Sequence, residues 1–172
     1  DHTEVIGFDT GPGNCLMDCW SRENNVGNYD DKGSWASSGT INQSLLETMM
    51  GDDYFSRKYP KSTGPDYFNH KWIKDNIAKS DNKISPEDVQ ATLLQITVLS
   101  LVESINLLNL TKETIYLCGG GVHNEFLCNE ITKQSKAKVN TTLDLGIDPD
   151  YVEAICFAWL AKQRIHNINF NL

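Results

Sequence analysis

The chain has 172 residues, of which 40% are hydrophobic and 22% charged, values ordinary for a globular protein with one sizeable core. Its net charge of −8 argues against a nucleic-acid partner, whose binding depends on clustered basic side chains. No apolar run approaches the roughly 20 uninterrupted residues of a membrane span, and the first residues lack a signal-peptide pattern, so we expect no membrane partner.

The five cysteines form no Cys-x-x-Cys pair, and none has a histidine at zinc-ligand spacing. We therefore expect no protein-built metal site. Their apolar sequence neighbours predict that the thiols are buried as small hydrophobic groups. An odd number of cysteines without a disulfide framework is typical of the reducing cytoplasm.

Residues 5–8 are a short apolar run that stops at the turn formers of residues 9–14. This pattern predicts a strand that runs into a tight turn. Apolar residues at helical spacing follow over residues 15–22, so we expect a helix that opens at Gly13 or Asn14.

The middle of the chain alternates between polar loops and short helices. Residues 24–39 are rich in Asn, Asp, Gly and Ser and predict a loop, and residues 41–50 predict a short helix. Lys-Ser-Thr-Gly at 61–64 is another loop. A further helix is marked by Phe68, Trp72, Ile73 and Ile77.

A strong helix start lies at residues 85–88, with Ser85 as N-cap, Pro86 at the first helical position and acidic residues in the first turn. The helix should run to about Leu108, and its wide apolar face predicts a central position.

The last third predicts strand, glycine turn, helix, strand and helix. The strands are expected at 114–118 and 138–143, and the first helix at 124–133. Asp-Pro-Asp at 148–150 repeats the N-cap and proline signal. An apolar stripe follows, made of Val152, Ile155, Cys156, Trp159 and Leu160. This order predicts an α/β fold with parallel strands.

Two glycine-bearing turns could carry chemistry. Glycines 119–121 permit positive φ angles and leave N–H groups and a helix N-terminus at the end of a strand, where open α/β sheets bind ligands. Residues 9–14 combine a carboxylate, a hydroxyl and two glycines, which suits a phosphate or Mg²⁺-water site. The alternatives are a tight turn without a ligand and an Asx-type turn.

Four segments, at residues 7–14, 61–68, 119–124 and 149–160, together resemble the anhydro-N-acetylmuramic acid kinase family, which belongs to the actin-like ATPase superfamily. The resemblance implies an actin-like (ribonuclease H-like) α/β domain with a mixed sheet flanked by helices. Family members have two lobes and roughly twice this length. Residues 1–172 are therefore expected to be a single domain, the C-terminal ATP-binding lobe, with the N-terminal lobe absent.

The family's reaction would use ATP, Mg²⁺ and water to open the 1,6-anhydro ring of 1,6-anhydro-N-acetylmuramic acid and phosphorylate O6. The products are N-acetylmuramic acid 6-phosphate and ADP, in cytoplasmic peptidoglycan recycling. The resemblance places the first phosphate loop and a general-base aspartate in the missing lobe, so the chain alone is expected to be inactive. Many family members form homodimers, and a homodimer is among the implied assemblies.

The resemblance implies functional roles for two groups of residues and for one helix. The adenosine motif is matched by Gly119, Gly120, Gly121 and Asn124. The positions near the phosphates are Asp9, Thr10, Gly11, Gly13 and Asn14. Residues 148–160 match the helix that packs under the cleft and couples the lobes. Its Glu153 either contacts substrate or water, or complements the helix dipole.

The chain departs from the family pattern at one place, and two alternative functions are open. Pro65-Asp66 replaces the family's Arg-Glu, although Phe68 keeps its place. A non-enzymatic actin-like nucleotide-binding or scaffold module would not need the motif at 61–68. A dinucleotide-dependent oxidoreductase would need an acidic residue such as Asp144 after its second strand, but the glycine spacing is wrong. His123 is read as a surface or adenine-edge residue.

Overall fold

The computed structural model describes residues 5–80, 83–110 and 112–168, and this part of the chain is mostly helical. The helices are α1 (Cys15–Glu23), α2 (Ser34–Ser38), α3 (Gln43–Met50), α4 (Asp53–Ser56), α5 (His70–Ile77), α6 (Pro86–Leu107), α7 (Glu125–Ser135) and α8 (Val152–Ile165). The strands are β1 (Thr114–Leu117) and β2 (Lys138–Thr141), and 3₁₀ turns lie at Asp31–Gly33, Gly120–His123, Thr142–Leu145 and Pro149–Tyr151.

Helix α6 is the centre of the core. It begins as predicted, with Pro86 in its first turn and the Ser85 hydroxyl accepting the Asp88 N–H at 3.2 Å. By length and composition alone, α6 could cross a membrane. However, 72% of its most apolar 18-residue window is buried inside the protein, which makes it a core helix.

Side chains from α1, α3, α5 and α7 share one hydrophobic core with α6. Leu45, Met49 and Ile73 are fully buried with Leu93 and Ile96 of α6, and each such side chain contributes about 1.5–3 kcal/mol through burial. The remaining buried core residues of these helices are Leu16, Met17 and Trp20 of α1, Leu46 of α3, and Leu127 and Ile131 of α7.

Polar side chains of α6 also fix the loops beside it. The Thr97 hydroxyl donates to the Gly13 carbonyl oxygen at 2.5 Å, and the Gln90 amide lies 3.3 Å from the Asp30 carboxylate. Both partners belong to loops that border a cleft of about 640 Å³. Two further contacts join the Asn42 N–H to Thr92 Oγ1 at 3.0 Å and the Gln95 amide to the Gln134 amide at 2.9 Å.

Strands β1 and β2 form a parallel pair, with Thr114 opposite Lys138 and Leu117 opposite Thr141. Helix α7 connects them, which completes a β–α–β unit and confirms the predicted parallel strands. The α/β class is therefore correct. The predicted mixed sheet is not seen, because the described residues form only this parallel pair.

Several local predictions were wrong. Residues 5–8 are not a strand, and Val5 is 72% exposed, because no strand among the described residues lies beside them to share a hydrogen-bond ladder. The predicted loop at 24–39 contains the 3₁₀ turn Asp31–Gly33 and helix α2, and the short helix α4 was not predicted. The second strand ends at Thr141, two residues early, in a capping box formed with Asp144.

Helix α8 forms where the sequence predicted it, but most of its apolar residues are exposed. None of its residues is buried, and Phe157 and Ile165 are 64% and 77% exposed. The prediction of buried cysteines also fails, because Cys118 and Cys156 are exposed and the other three are half-buried. Partial burial raises the pKa of the Cys128 thiol.

Candidate functional site

A cleft of about 640 Å³ opens between the N-terminal ends of α1 and α7. Its lining residues are Asn14, Asp18, Tyr29, Asp30, Asp31, Lys32, Gly120, Gly121, Val122, His123, Asn124, Glu125 and Asp150. The two turns meet here, since a Cβ at Gly121 would lie 3.7 Å from Asn14 Oδ1. The structure thus joins Asn14 to the predicted adenosine group.

The glycine turn after β1 is shaped by its backbone. Gly119 has φ +76°, which favours glycine, and its N–H donates to the Pro149 carbonyl oxygen at 2.9 Å. Asn124 then caps α7, because its side-chain oxygen accepts the Leu127 N–H at 2.9 Å. Asn124 is therefore a structural cap as well as a cleft residue.

The end of the 9–14 loop is held against α6 and α1. Gly11 lies so close to α6 that a Cβ there would sit 2.7 Å from Ser100 Oγ. Gly13 has φ +56° and offers its carbonyl oxygen to Thr97. The Asn14 side-chain amide donates to the Asp18 carboxylate at 2.9 Å, across the first turn of α1.

The start of the same loop faces elsewhere. The Asp9 carboxylate accepts the Ser62 hydroxyl at 3.1 Å and the Thr63 N–H at 2.9 Å, so Asp9 is tied to the Lys-Ser-Thr-Gly loop. Asp9 lines a separate hollow of about 440 Å³ with residues 60–62, and Thr10 lines another of about 290 Å³. The residues predicted to lie near the phosphates are therefore divided. Asn14 lines the cleft, whereas Asp9 is bonded to the Lys-Ser-Thr-Gly loop.

The segment that follows the Lys-Ser-Thr-Gly loop is held by Asp52, an aspartate that the sequence analysis did not single out. Asp52 accepts the Tyr67 hydroxyl at 2.6 Å, the Trp72 indole N–H at 2.9 Å and the Tyr54 N–H at 2.9 Å. Burial raises the pKa of this carboxyl, but these hydrogen bonds outweigh burial and lower it overall. Phe68, the retained motif residue, is buried beside it and belongs to the core.

Glu153 lies in the first turn of α8, exposed and outside the set of cleft-lining residues. Asp150, three residues earlier, does line the cleft. Its carboxylate oxygens lie 2.9 and 3.1 Å from Nε2 of His123, which sits in the glycine turn. The structure thus brings His123 and Asp150 to the site, while the role of Glu153 stays a prediction.

The opposite wall of the cleft, residues 29–32, was predicted to be plain loop. Asp30 is buried, and its carboxylate accepts the Trp35 and Ala36 N–H groups at 2.8 Å each. Gly33 follows with φ +74°, and a Cβ there would lie 2.2 Å from Asn124 Oδ1. An aspartate three residues before a glycine, ahead of a short helix, is the signal that could have revealed an ordered turn.

The cleft is acidic. Of its described lining residues only Lys32 is a lysine or arginine, and its ammonium is paired with Glu125 Oε1 at 2.9 Å across the two walls. Hydrogen bonding to Glu125 raises the pKa of Lys32. Burial raises the pKa of the Asp18 carboxyl, although the hydrogen bond from Asn14 opposes this. Uncompensated phosphate groups would be repelled here.

The comparisons agree on one family. A family model described as anhydro-N-acetylmuramic acid kinase matches residues 1–172. Relatives carrying that name include proteins of Coxiella burnetii, 43% identical over 98% of this chain, and Aliivibrio fischeri, 46% identical over 97%. A Haemophilus influenzae relative is 42% identical over 98%. These matches cover 45%, 46% and 47% of the relatives, so the chain spans about half their length.

Proposed function

The chain belongs to the anhydro-N-acetylmuramic acid kinase family, and we propose that it is the ATP-binding lobe of a kinase acting on 1,6-anhydro-N-acetylmuramic acid. The observation that carries this proposal is the cleft at the carboxyl end of β1, where Asn14 meets the glycine turn. Ligands of open α/β sheets bind in this position. The adenosine would lie against Gly120, Gly121 and Asn124.

The phosphates would point toward Gly13 and Asn14. This direction is supported by the N-terminus of α1, whose N–H groups and dipole favour a negative charge. It also leads along the loop toward Thr10 and Asp9. The two ends of one loop would then serve the two substrates, with the nucleotide at Asn14 and the acceptor sugar at Asp9.

Mg²⁺ would accompany the nucleotide. No group of three or more His, Cys, Asp or Glu side chains that could hold a metal occurs among the described residues. Mg²⁺ bound through one or two carboxylates plus phosphates fits this donor set. Asp18 in the cleft and Asp9 beyond it are two carboxylates that could supply oxygen ligands. Bound there, the ion would neutralise charge on the transferred phosphoryl group.

The sugar would bind on the side of the Lys-Ser-Thr-Gly loop. Asp9 is hydrogen-bonded to Ser62 and Thr63 of that loop, which links the loop to the end of the nucleotide path. Water would supply the oxygen that opens the anhydro ring at C1, and O6 would receive the phosphoryl group. Glu153 is retained as a candidate contact to substrate or water.

A second lobe would complete the active site. Helix α8 exposes Ile155 and Phe157, and the relatives are about twice as long as this chain, which together support a partner lobe that covers α8. A homodimer is the other assembly that could cover this face. The chain alone would bind nucleotide without transferring phosphate, and the complete kinase would work in the cytoplasm.

The test is a coupled ADP-release assay with ATP, Mg²⁺ and 1,6-anhydro-N-acetylmuramic acid. Three proteins are compared: this chain, the full-length Aliivibrio fischeri relative, and a fusion of this chain to the part of that relative that it does not match. Turnover is expected from the relative and the fusion only. A folded fusion that binds ATP but ignores the sugar would instead favour a non-enzymatic actin-like module. Turnover by the chain alone would refute the need for a second lobe.

A further inference from the structure

We infer that residues 29–32 form the second wall of the nucleoside pocket, with Tyr29 as the residue that contacts the purine base. This inference rests on the proposed function and names a specificity residue for it. The first wall is the glycine turn with Asn124, and the cleft between the two walls is about 640 Å³, within the range of small-molecule sites.

The 29–32 segment is held by buried hydrogen bonds and by a close approach to α7. The buried Asp30 carboxylate holds two backbone N–H groups of α2 and lies 3.3 Å from the Gln90 amide of α6. Gly33 then passes so close to Asn124 that no side chain would fit between them. The segment is thus anchored from below by α6 and from the side by α7.

Charge decides which part of a nucleotide can lie between these walls. Asp18, Asp31 and Asp150 line the cleft with little positive charge to offset them, because Lys32 is already paired with Glu125. Between these two walls a triphosphate without a bound cation would be repelled, whereas ribose hydroxyls can donate hydrogen bonds to carboxylates and a neutral base has no charge to oppose. The cleft therefore selects the nucleoside half.

Tyr29 is the aromatic residue on the second wall, and 61% of its surface is exposed beside the cleft. An exposed tyrosine next to a concave site offers a flat face to a base, and such stacking is lost when the ring is removed. Its hydroxyl is not required for stacking. Phenylalanine should therefore replace it with little change, and alanine should not.

The experiment titrates this chain with ATP, with adenosine and with inorganic tripolyphosphate by calorimetry. Tyr29→Ala is expected to weaken ATP and adenosine by the same factor, about tenfold, and to leave tripolyphosphate unchanged. Tyr29→Phe should stay within about twofold of the starting chain. The matched control is Tyr59→Ala, because Tyr59 is also exposed but stacks on Phe8 away from the cleft.

Each outcome separates the inference from the proposed function. Unchanged adenosine affinity in Tyr29→Ala overturns the inference while nucleotide binding stands. A loss shared by Tyr29→Phe and Tyr59→Ala also overturns it, because the effect would then not depend on an aromatic ring at this wall. If the unsubstituted chain binds neither ATP nor adenosine, the proposed function falls first and the inference with it.

Discussion

Helices α6 and α8 are announced by the same sequence signal and lie in opposite surroundings. Ser85 caps α6 directly, with Pro86 as its first residue, whereas Asp148 and Pro149 start the 3₁₀ turn that leads into α8, and both helices are rich in apolar residues. Helix α6 is buried on most sides, whereas α8 has no buried residue. Local signals therefore specify that a helix forms and where it starts. Whether its apolar surface is covered depends on what packs against it.

The largest expected effect tests this contrast with one residue type. Ile96→Ala in α6 should lower the free energy of unfolding by about 3 kcal/mol, because it leaves a cavity at a fully buried position. Ile155→Ala in α8 removes a half-exposed side chain and should cost less than about 0.5 kcal/mol. Urea unfolding followed by circular dichroism measures both. Equal costs would show that α8 is covered in solution.

A second pair of variants compares two glycines with left-handed φ angles. Gly33 lies at the start of α2 in the core region, and Gly146 lies in the segment that leads to α8. Gly33→Ala should cost about 2–3 kcal/mol, since φ is +74° and the new Cβ would collide with Asn124. Gly146 has φ +77° but no neighbour within 4 Å, so Gly146→Ala should cost only about 1 kcal/mol. Thermal and urea unfolding measure the difference. If the two costs match, the close approach at Gly33 is relieved without strain.

The Asp18 carboxylate, which lines the cleft, should lower the stability of the fold at neutral pH. Asp18 has a raised pKa in the fold, so its charged form is disfavoured and stability falls as pH rises from the unfolded value of about 4 through the folded pKa. Asp18→Asn should therefore stabilise the chain at pH 7, by a few tenths of a kcal/mol given solvent screening. The gain should vanish below about pH 4. Unfolding midpoints across pH 3–8 measure it.

Asp52 is the matched control because its pKa shift has the opposite sign. Its folded pKa is lowered, so it contributes stability above the unfolded pKa of about 4 that is lost as pH falls through the folded value. Asp52→Asn should destabilise the chain at pH 7 and approach the unsubstituted chain in acid. If Asp18→Asn also destabilises at pH 7, the burial of Asp18 is not the dominant influence on it.

The smallest effect concerns the ion pair that spans the cleft. Lys32→Glu and Glu125→Lys should each weaken adenosine binding by no more than about threefold, because exposed ion pairs contribute little. The double exchange restores opposite charges and should recover most of the affinity. A double-mutant cycle by calorimetry measures the coupling. No recovery in the double variant would mean that the pair does not hold the two walls together.

The parts of the fold with strong local signals could be predicted from the sequence. Proline and capping residues marked α6, and the glycines marked the end of β1 and the start of the turn. The strand expected at residues 5–8 failed because pairing with a neighbour, not composition, makes a strand. The cleft's second wall was missed for a related reason. Tyr29 and Asp30 have no periodic pattern, and their positions depend on α6 and α7, which are distant in sequence.

The hydroxyl of Thr97 and the amide of Gln90 have a consequence for protein engineering. Through them α6 holds Gly13 on one side of the cleft and Asp30 on the other, so the positions of both loops depend on the same helix. The two loops would therefore not keep their arrangement if they were moved to another protein without α6. A graft of this site into another scaffold must carry α6 with it, and sequence libraries aimed at nucleotide preference should vary Tyr29 while Thr97 and Gln90 are kept fixed.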